Sequence, residues 1–486
     1  MAPAILARAG TSYATYRPFL NHGVALMQSR HYADVPEVPQ ARGTASWKLK
    51  GPKDKGKLFR RDHRQGIFRP MPESKLQHEL FETGSRPVLD YPPFGPEMVR
   101  QDMIGQATLF VPTENDPVRY YGSPKPTLLE HRILSRPCSI IRQSTVDMVR
   151  ILHGHAQNEG SKRHRVVITG RAGTGKSVLL IQSVQYCHAQ DWIVIYVPRA
   201  VSTVNSTTMH TYDLRTQIYV QPNYAHQTLR RILLVNRVRL ESIPTRKTHT
   251  FEKVKVEEGS PLTTLIEAGL ADKTIAPALL DELFSELGEQ KQHPVLLAVD
   301  DFQALYCRTA YRDPHFTPIR SYHISMPRLL MEYASGRRTF ARGAVVGAIT
   351  STDTQYPLSE DLRLELDIFN DRASSPYDKQ SRPLRKYASG LLPFQLPDGL
   401  TPTEAASLFD IWMSEKSLAP GLFFSPRQFF SLMVFLAAAI DELFLAKYTE
   451  SGGNPREFVW KGLLGTLEGP PLVIDKRRPF AQMTIP

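Results

Sequence analysis

The sequence predicts an α/β fold in which a parallel β-sheet is flanked by helices, with an extended N-terminal arm before it and a smaller α-helical domain after it. Short apolar runs at residues 165–170, 192–198, 294–302 and 343–354 are rich in β-branched side chains and are separated by helical segments. Runs that are apolar throughout are typical of strands buried on both faces of a parallel sheet. A glycine-rich stretch, GRAGTGKS, joins the first run to a helical segment at 176–190. This alternation of strands and helices is the basis of the α/β prediction.

Length and charge limit the possible classes of protein. At 486 residues and 55.0 kDa the chain is long enough for roughly two or three domains. A net charge of +12 and a pI near 9.5 favour a polyanionic partner, either RNA or an anionic membrane. The longest apolar run, residues 429–440, is shorter than the about 20 residues that a membrane-spanning helix requires, so no span is expected. Three widely spaced cysteines argue against a disulfide framework or a zinc site.

The N-terminal residues have the composition of a mitochondrial transit peptide. No Asp or Glu precedes Asp34, Ser, Thr and Ala are frequent, and three arginines are present, Arg8, Arg17 and Arg30. Import depends on positive charge carried on an amphipathic helix, which this composition allows. We therefore predict a transit peptide over residues 1–32, cleavage near Ala33 and a location in the mitochondrial matrix; a disordered basic tail is the alternative.

Three further regions follow the transit peptide. Residues 33–130 are predicted as an extended arm rich in Pro and basic side chains, in which residues 47–69 carry nine Lys or Arg and three aromatic residues. Such a segment is suited to RNA backbones and bases, although it is also compatible with a solvated linker. Residues 131–360 are predicted as the α/β domain, with a helical insertion at about 205–290, and residues 361–486 as a connector and helical domain. In the latter, Thr401 or Thr403 would cap a helix.

The motif Gly170-x-x-x-x-Gly175-Lys176-Ser177 lies between a strand and a helix and predicts a P-loop nucleotide-binding fold. The turn of such a loop points backbone N–H groups and the helix N-terminus at phosphate oxygens. Lys176 is expected to reach the β- and γ-phosphates, and the Ser177 hydroxyl to ligate Mg²⁺. The predicted phosphate-binding residues are Gly170, Arg171, Ala172, Gly173, Thr174, Gly175, Lys176, Ser177 and Val178.

Polar residues after two later strands complete the predicted site. Asp300 and Asp301 follow four aliphatic residues, so Asp300 is predicted to hold Mg²⁺ and Asp301 to polarise water as the catalytic acid. The alternative is a pair that caps a turn. Ser351 or Thr352, after the next strand, would contact the terminal phosphate, although hydroxyl residues also end strands for turn reasons. Arg456 lies in GGNPREF, which resembles a Gly-Asn-Pro-Arg turn of ATPases of the AAA+ and related signal-transducing (STAND) groups, where the Arg reaches the nucleotide; an ordinary loop is the alternative.

The base of the nucleotide is not specified by these motifs. No Asn-Lys-x-Asp signature follows the P-loop motif, so the guanine-reading device of Ras-like GTPases is missing. The residues therefore leave GTP or GDP and ATP open as ligands. A catalytic Gln or an arginine finger is not assignable either, and we expect weak turnover or none.

The ordered set VVITGRAGTGKSVLLIQ, WIVIYVPRA, PVLLAVDDFQAL, GAITSTDT and GGNPREF resembles the death-associated protein 3 family of mitochondrial small-subunit ribosomal proteins, with extensions like those of fungal members. The resemblance covers roughly residues 130–470. It implies a P-loop domain in the head of the small subunit that binds GTP or GDP with Mg²⁺ and contacts rRNA, neighbouring ribosomal proteins and the large subunit. Arg171 departs from the family pattern and would favour a bound diphosphate by its charge.

Two other functions remain open at this point. A free mitochondrial AAA+-like NTPase that remodels protein or nucleic acid would use the P-loop, Asp300, Asp301 and Arg456, but it gives no reason for the basic arm. An adaptor in apoptosis follows only from the second name of the family. A structural ribosomal component that carries a nucleotide explains the basic charge, the import signal and the motifs together.

Overall fold

The computed structural model of the chain describes residues 89–134, 136–156, 160–251, 254–368, 381–414 and 441–463. The predicted transit peptide, the basic segment at 47–69 and the apolar run at 429–440 lie outside these described residues. In the described part of the chain, no helix is both long and apolar enough to cross a bilayer.

The described strands and helices alternate along much of the chain. The strands are β1 (Ala107–Leu109), β2 (Cys138–Ile140), β3 (Arg165–Thr169), β4 (Ile193–Val197), β5 (Thr211–Asp213), β6 (Ile218–Val220), β7 (His249–Thr250), β8 (Lys255–Val256), β9 (Val295–Val299), β10 (Arg308–Arg312), β11 (Pro318–Arg320), β12 (Gly343–Ala348) and β13 (Leu392–Gln395). The helices are α1 (Pro117–Tyr121), α2 (Lys125–Ile133), α3 (Gln143–Ala156), α4 (Lys176–Ala189), α5 (Val201–Val204), α6 (Pro222–Glu241), α7 (Leu262–Ala271), α8 (Ala276–Glu289), α9 (Ser325–Ala334), α10 (Glu360–Glu365), α11 (Arg382–Ala388) and α12 (Pro402–Ser414). Residues 441–451 are helical, and the short helix Pro455–Glu457 leads into a π-helical segment, Phe458–Leu463.

Five parallel strands form the central sheet in the order β13, β3, β12, β9, β4. The four strands predicted from apolar runs are β3, β4, β9 and β12, and every residue in them is buried. The prediction of an α/β fold with a parallel sheet flanked by helices is confirmed. Because parallel strands end at the same edge, the loops that follow them lie together there, which is where such sheets bind ligands.

The edge strand β13 is not predicted from the sequence. It has only four residues, includes Pro393, and is largely exposed. It pairs with β3, so that Phe394 lies opposite Ile168. A short strand at an edge can include proline and needs no continuous apolar run, so it lacks the signal that identifies its neighbours. Part of the segment predicted as a connector is therefore built into the sheet.

The opposite edge strand, β4, is covered by side chains of α1 and α6. Asn236 interrupts the helical geometry of α6, with φ −113° and ψ 17°. Its side-chain oxygen accepts from Val194 N at 2.8 Å and its amide donates to Val194 O at 2.9 Å. The Tyr121 hydroxyl donates to the same carbonyl at 2.9 Å. These contacts use main-chain groups that an open edge strand would present to another chain.

Residues 89–134 contain more structure than their composition predicts. β1 pairs antiparallel with β2, and Tyr121, at the end of α1, is 2% exposed within the main core. The elements are short and begin near prolines, as at Pro117, so no helical or strand periodicity is visible in the sequence. From Leu89 onward, the stretch predicted as an extended arm contributes buried side chains to the fold.

A second core joins the C-terminal helices to β1 and β2. Trp412 in α12 and Phe458 in the π-helical segment are both buried in it. The start of α12 is a capping box: the Thr401 hydroxyl accepts from Glu404 N at 3.3 Å, and Glu404 Oε2 accepts from Thr401 N at 3.1 Å. Of the two predicted caps, Thr401 therefore makes the capping bond.

Candidate functional site

The glycine-rich loop, residues 170–175, connects β3 to α4 at the carboxyl edge of the sheet. Gly170, Gly173 and Gly175 have φ values of 137°, 85° and 95°. This part of conformational space favours glycine because a Cβ would clash there. At Gly173 an added Cβ would also overlap the side chain of Asn454. The spacing of the glycines therefore reflects a backbone path that other residues would strain.

The turn that precedes the π-helical segment hydrogen-bonds the main-chain carbonyls of the glycine-rich loop. Asn454 Nδ2 donates to Ala172 O at 2.8 Å, and Arg456 N donates to Gly173 O at 3.2 Å. The structure thus places GGNPREF beside the glycine-rich loop, and Arg456 also lines the pocket next to the loop. The first contact comes from Asn454, which the sequence interpretation does not single out.

Arg142 holds the same loop from a second side. Its guanidinium donates to Thr174 O at 2.7 Å and to Gly399 O at 3.1 Å, and its Nε lies 3.3 Å from Glu404 Oε2. The side chains of Arg142 and Glu404 are only 13% and 4% exposed. This ion pair therefore connects the loop with the capped start of α12. No motif in the sequence indicates it, because the partners are far apart along the chain.

Lys176 is buried beneath the loop. Its ammonium donates to Gly170 O at 2.8 Å and to Arg171 O at 2.5 Å. Burial lowers the pKa of Lys176 to about 8; the charge of Asp300 opposes this shift, and that of Arg456 adds to it. An anion next to this buried ammonium would favour its charged form and offset the cost of its burial.

The first turn of α4 offers further donors for an anion. No side chain of the described residues caps this helix, so its first amide N–H groups keep their hydrogen-bonding capacity. The positive end of the helix dipole adds to the attraction. The carbonyls of the glycine-rich loop already accept hydrogen bonds from protein groups. The N–H groups at the start of α4 and the buried Lys176 ammonium therefore fit a phosphate group.

Ser177 and Asp300 come together beside this helix start. The Ser177 side chain hydrogen-bonds the Asp300 carboxylate, and Asp300 is 1% exposed. Burial raises the pKa of Asp300, and the neighbouring charge of Asp301 raises it further. Within the described residues, no group of three or more His, Cys, Asp or Glu side chains is placed to hold a metal. A Mg²⁺ at Ser177 and Asp300 would therefore take phosphate oxygens and water as its other ligands, which is its usual mode in nucleotide sites.

Asp301 is held by two side chains that the sequence does not predict. Its carboxylate lies 3.6 Å from Arg199 Nε and hydrogen-bonds the Thr350 side chain. Burial raises its pKa, whereas the Thr350 hydrogen bond and the Arg199 charge oppose the rise. Its backbone is left-handed, with φ 54°, and its N–H donates to Asp300 Oδ1 at 2.9 Å. Asp301, the acid predicted to polarise water, therefore already interacts with two side chains, Arg199 and Thr350.

The other predicted residues lie on the pocket or at its rim. Ser351, Thr352 and Val178 line the same pocket as Lys176. The Arg171 side chain is 78% exposed, and its guanidinium lies 4.0 Å from the Asp398 carboxylate. Its charge is therefore partly balanced at the rim.

The pocket continues from the glycine-rich loop into a cleft between α2, α12 and the π-helical segment, with a volume of about 200 Å³. Its apolar lining includes Leu134, Leu408, Trp412 and Val459. Glu130 is the one carboxylate among the described residues of the lining. Sequence reasoning missed this part of the site because α2 lies in the stretch predicted as an arm.

Comparisons with known proteins identify the family. A family model described as "Mitochondrial ribosomal death-associated protein 3" matches residues 139–460. The "Small ribosomal subunit protein mS29" of Neurospora crassa is 27% identical over 336 residues, which are 66% of this chain and 70% of that protein. The proteins of the same name from Schizosaccharomyces pombe and Bos taurus are 28% and 24% identical, over 46% and 49% of this chain and 48% and 60% of their own lengths. These matches confirm the predicted resemblance and the predicted mitochondrial ribosomal location. Because the family model matches more than half of its residues, the chain belongs to the mitochondrial ribosomal death-associated protein 3 family.

Proposed function

We propose that this chain is a structural component of the mitochondrial small ribosomal subunit that holds a purine nucleotide, GTP or GDP, with Mg²⁺ beside the glycine-rich loop. The observation that carries the nucleotide part is the arrangement of donors: protein groups already bind the loop carbonyls, the start of α4 has no side-chain cap, and the buried Lys176 ammonium lies beneath the same loop. The names of the relatives support the ribosomal part. The architecture would then be that of an AAA+-like or STAND-like P-loop NTPase.

Each residue of the site has a role in this proposal. Lys176 would bind the β- and γ-phosphates, and the loop amides would bind the remaining phosphate oxygens. Ser177 and Asp300 would hold Mg²⁺, which would also favour the charged form of the buried Asp300 carboxylate. Ser351 and Thr352, which line the same pocket, would face the terminal phosphate.

The nucleotide would stabilise the packing of the C-terminal helices on the sheet. The loop that would cradle the phosphates is bound by Asn454 and Arg456 on one side and by Arg142 with Glu404 on the other. A ligand that binds only the folded chain stabilises it by about 2.7 kcal/mol at a concentration 100 times its Kd. The pocket would thus serve assembly and not a catalytic cycle.

The expected partners are the small-subunit rRNA, neighbouring ribosomal proteins and, through intersubunit contacts, the large subunit. The net charge of +12 favours an RNA partner. In a sucrose gradient of mitochondrial lysate, the protein should sediment with the small subunit and the whole ribosome at low and moderate salt. Recovery only at the top of the gradient, with soluble enzymes, would exclude the ribosomal role.

A free NTPase is the second candidate, favoured by the adjacent carboxylates of Asp300 and Asp301 at a strand end. The engagement of Asp301 by Arg199 and Thr350 argues against it. We expect the purified chain to hydrolyse GTP and ATP only slowly, and Asp301→Asn to leave that rate unchanged. Rapid hydrolysis that Asp301→Asn abolishes would favour the NTPase.

A further inference from the structure

Glu130 lines the same pocket as the glycine-rich loop, from its position in α2. Its Oε1 accepts a hydrogen bond from Trp460 Nε1–H at 2.7 Å. Among the hydrogen bonds of the described residues, none reaches Oε2. A carboxylate can accept about four hydrogen bonds, and a tryptophan indole donates one. Glu130 therefore has acceptor capacity left for a ligand in the pocket.

Arg456 connects the phosphate side of the pocket with Glu130. Its main-chain N–H donates to Gly173 O at 3.2 Å. Arg456, Lys176 and Glu130 line the same pocket, and the positive charge of Arg456 lowers the pKa of the other two. A nucleotide with its phosphates on the loop would have the rest of this pocket, which includes Glu130, for its sugar and base.

The pocket that Glu130 lines also has apolar side chains in its lining. Leu134 and Leu408 line the pocket together with Trp412 and Val459. Ligand pockets of this kind combine apolar walls with a few polar groups that fix orientation. Here the walls would hold the base by its faces, and the polar group that distinguishes one base from another would be Glu130.

We infer that Glu130 selects guanine over adenine by accepting hydrogen bonds from the ring N1–H and the exocyclic amine at C2. This inference rests on the proposed nucleotide site. Guanine has two adjacent donors on this edge, which match a carboxylate. Adenine has the ring N1 acceptor at the same place, and its lone pair would face the carboxylate oxygen. Glu130 would thus supply the function of the Asn-Lys-x-Asp signature that the sequence lacks, and Trp460 would position it.

The surroundings of Glu130 favour this role over that of an isolated buried acid. Burial raises the pKa of Glu130, and the Trp460 hydrogen bond and the Arg456 charge oppose the rise. Two further donors from guanine would favour the charged form, because hydrogen bonds to a carboxylate stabilise it. At these two ring positions adenine has a lone pair on N1 and only a C–H at C2, so it would leave the carboxylate without either hydrogen bond.

The test is titration calorimetry of the full chain, freed of bound nucleotide, with MgGDP and MgADP. The wild type should bind GDP about 10- to 100-fold more tightly than ADP, as expected for a bidentate base contact. Glu130→Gln keeps the shape and an acceptor for Trp460 but places an N–H₂ donor toward the base. It should weaken GDP binding about tenfold or more and strengthen ADP binding. Trp460→Phe should reduce the discrimination while both nucleotides still bind.

The matched control is Glu457→Gln. Glu457 is also close to Arg456 along the chain, but its side chain is 46% exposed and pairs with Lys461 at 3.3 Å. Its variant should leave the GDP to ADP ratio unchanged. If Glu130→Gln left the ratio unchanged, or weakened both nucleotides equally, the inference would be wrong while the nucleotide site stood. If the wild type bound neither nucleotide, the proposed function would fail and the inference with it.

Discussion

Replacing Lys176 with methionine is expected to change the stability of the fold in opposite directions with and without nucleotide. Lys176 is 6% exposed, and burial lowers its pKa from 10.5 to about 8. Its buried charge therefore destabilises the fold when no anion is present, at any pH below about 8. Methionine has a similar length and no charge, so it removes both this penalty and the contact to phosphate.

The size of each effect follows from the structure. Lowering the pKa of Lys176 from 10.5 to about 8 corresponds to about 3 kcal/mol of destabilisation at neutral pH. The lost hydrogen bonds to Gly170 O and Arg171 O contribute about 1 kcal/mol each. Without nucleotide, the variant should therefore be about 1 kcal/mol more stable than the wild type. With GDP at 100 times its Kd, the wild type gains about 2.7 kcal/mol and should become the more stable protein.

Urea unfolding of the full chain measures two quantities: the free energy of unfolding without nucleotide, and its increase when MgGDP is added. Because the pKa of Lys176 is lower in the folded state, the wild type without nucleotide should also gain stability relative to the variant as the pH rises from about 8 to 10.5. Lys273→Met, at an exposed lysine, is the control and should change neither quantity. If Lys176→Met kept the full stabilisation by GDP, Lys176 would not bind phosphate. A loss of several kcal/mol without nucleotide would refute the effect assigned to its buried charge.

Two further predictions concern the contacts around the glycine-rich loop. Gly173→Ala places a Cβ at φ 85° against Asn454, so it should lower the free energy of unfolding by about 1–3 kcal/mol and weaken GDP binding; an unchanged urea midpoint and Kd would contradict this. Arg142→Met leaves the Glu404 carboxylate buried without its cation and should cost about 3 kcal/mol, part of which Glu404→Gln in the same chain should restore. Additive losses in that double-mutant cycle would show that the pair does not interact.

The parts of the fold that the sequence predicts are those with local signals. The four inner strands are continuous apolar runs because both faces of the sheet are covered, and α4 begins where the glycine motif ends. Asp300 is recognisable because it directly follows such a run. Each of these features depends on residues close together in the chain, so composition and spacing are enough to locate them.

The parts of the fold and of the site that the sequence does not predict depend on contacts between residues far apart in the chain. Arg142 and Glu404 are 262 positions apart, and Glu130 and Trp460 are 330 positions apart. β13 is short and exposed, so its place beside β3 depends on pairing and not on its own composition. Such contacts arise from packing of the C-terminal helices on the loop, and no local pattern encodes them.

The nucleotide content of the purified protein tests the central claim most directly. Full-length chain, isolated with its small subunit, would be denatured with acid, and the released nucleotides would be identified and counted by liquid chromatography and mass spectrometry. We predict close to one guanine nucleotide for each chain, in addition to any free pool, and its absence from subunits that carry Lys176→Met. Subunits without a stoichiometric nucleotide, or a Lys176→Met protein that retains it, would contradict a phosphate site at the glycine-rich loop.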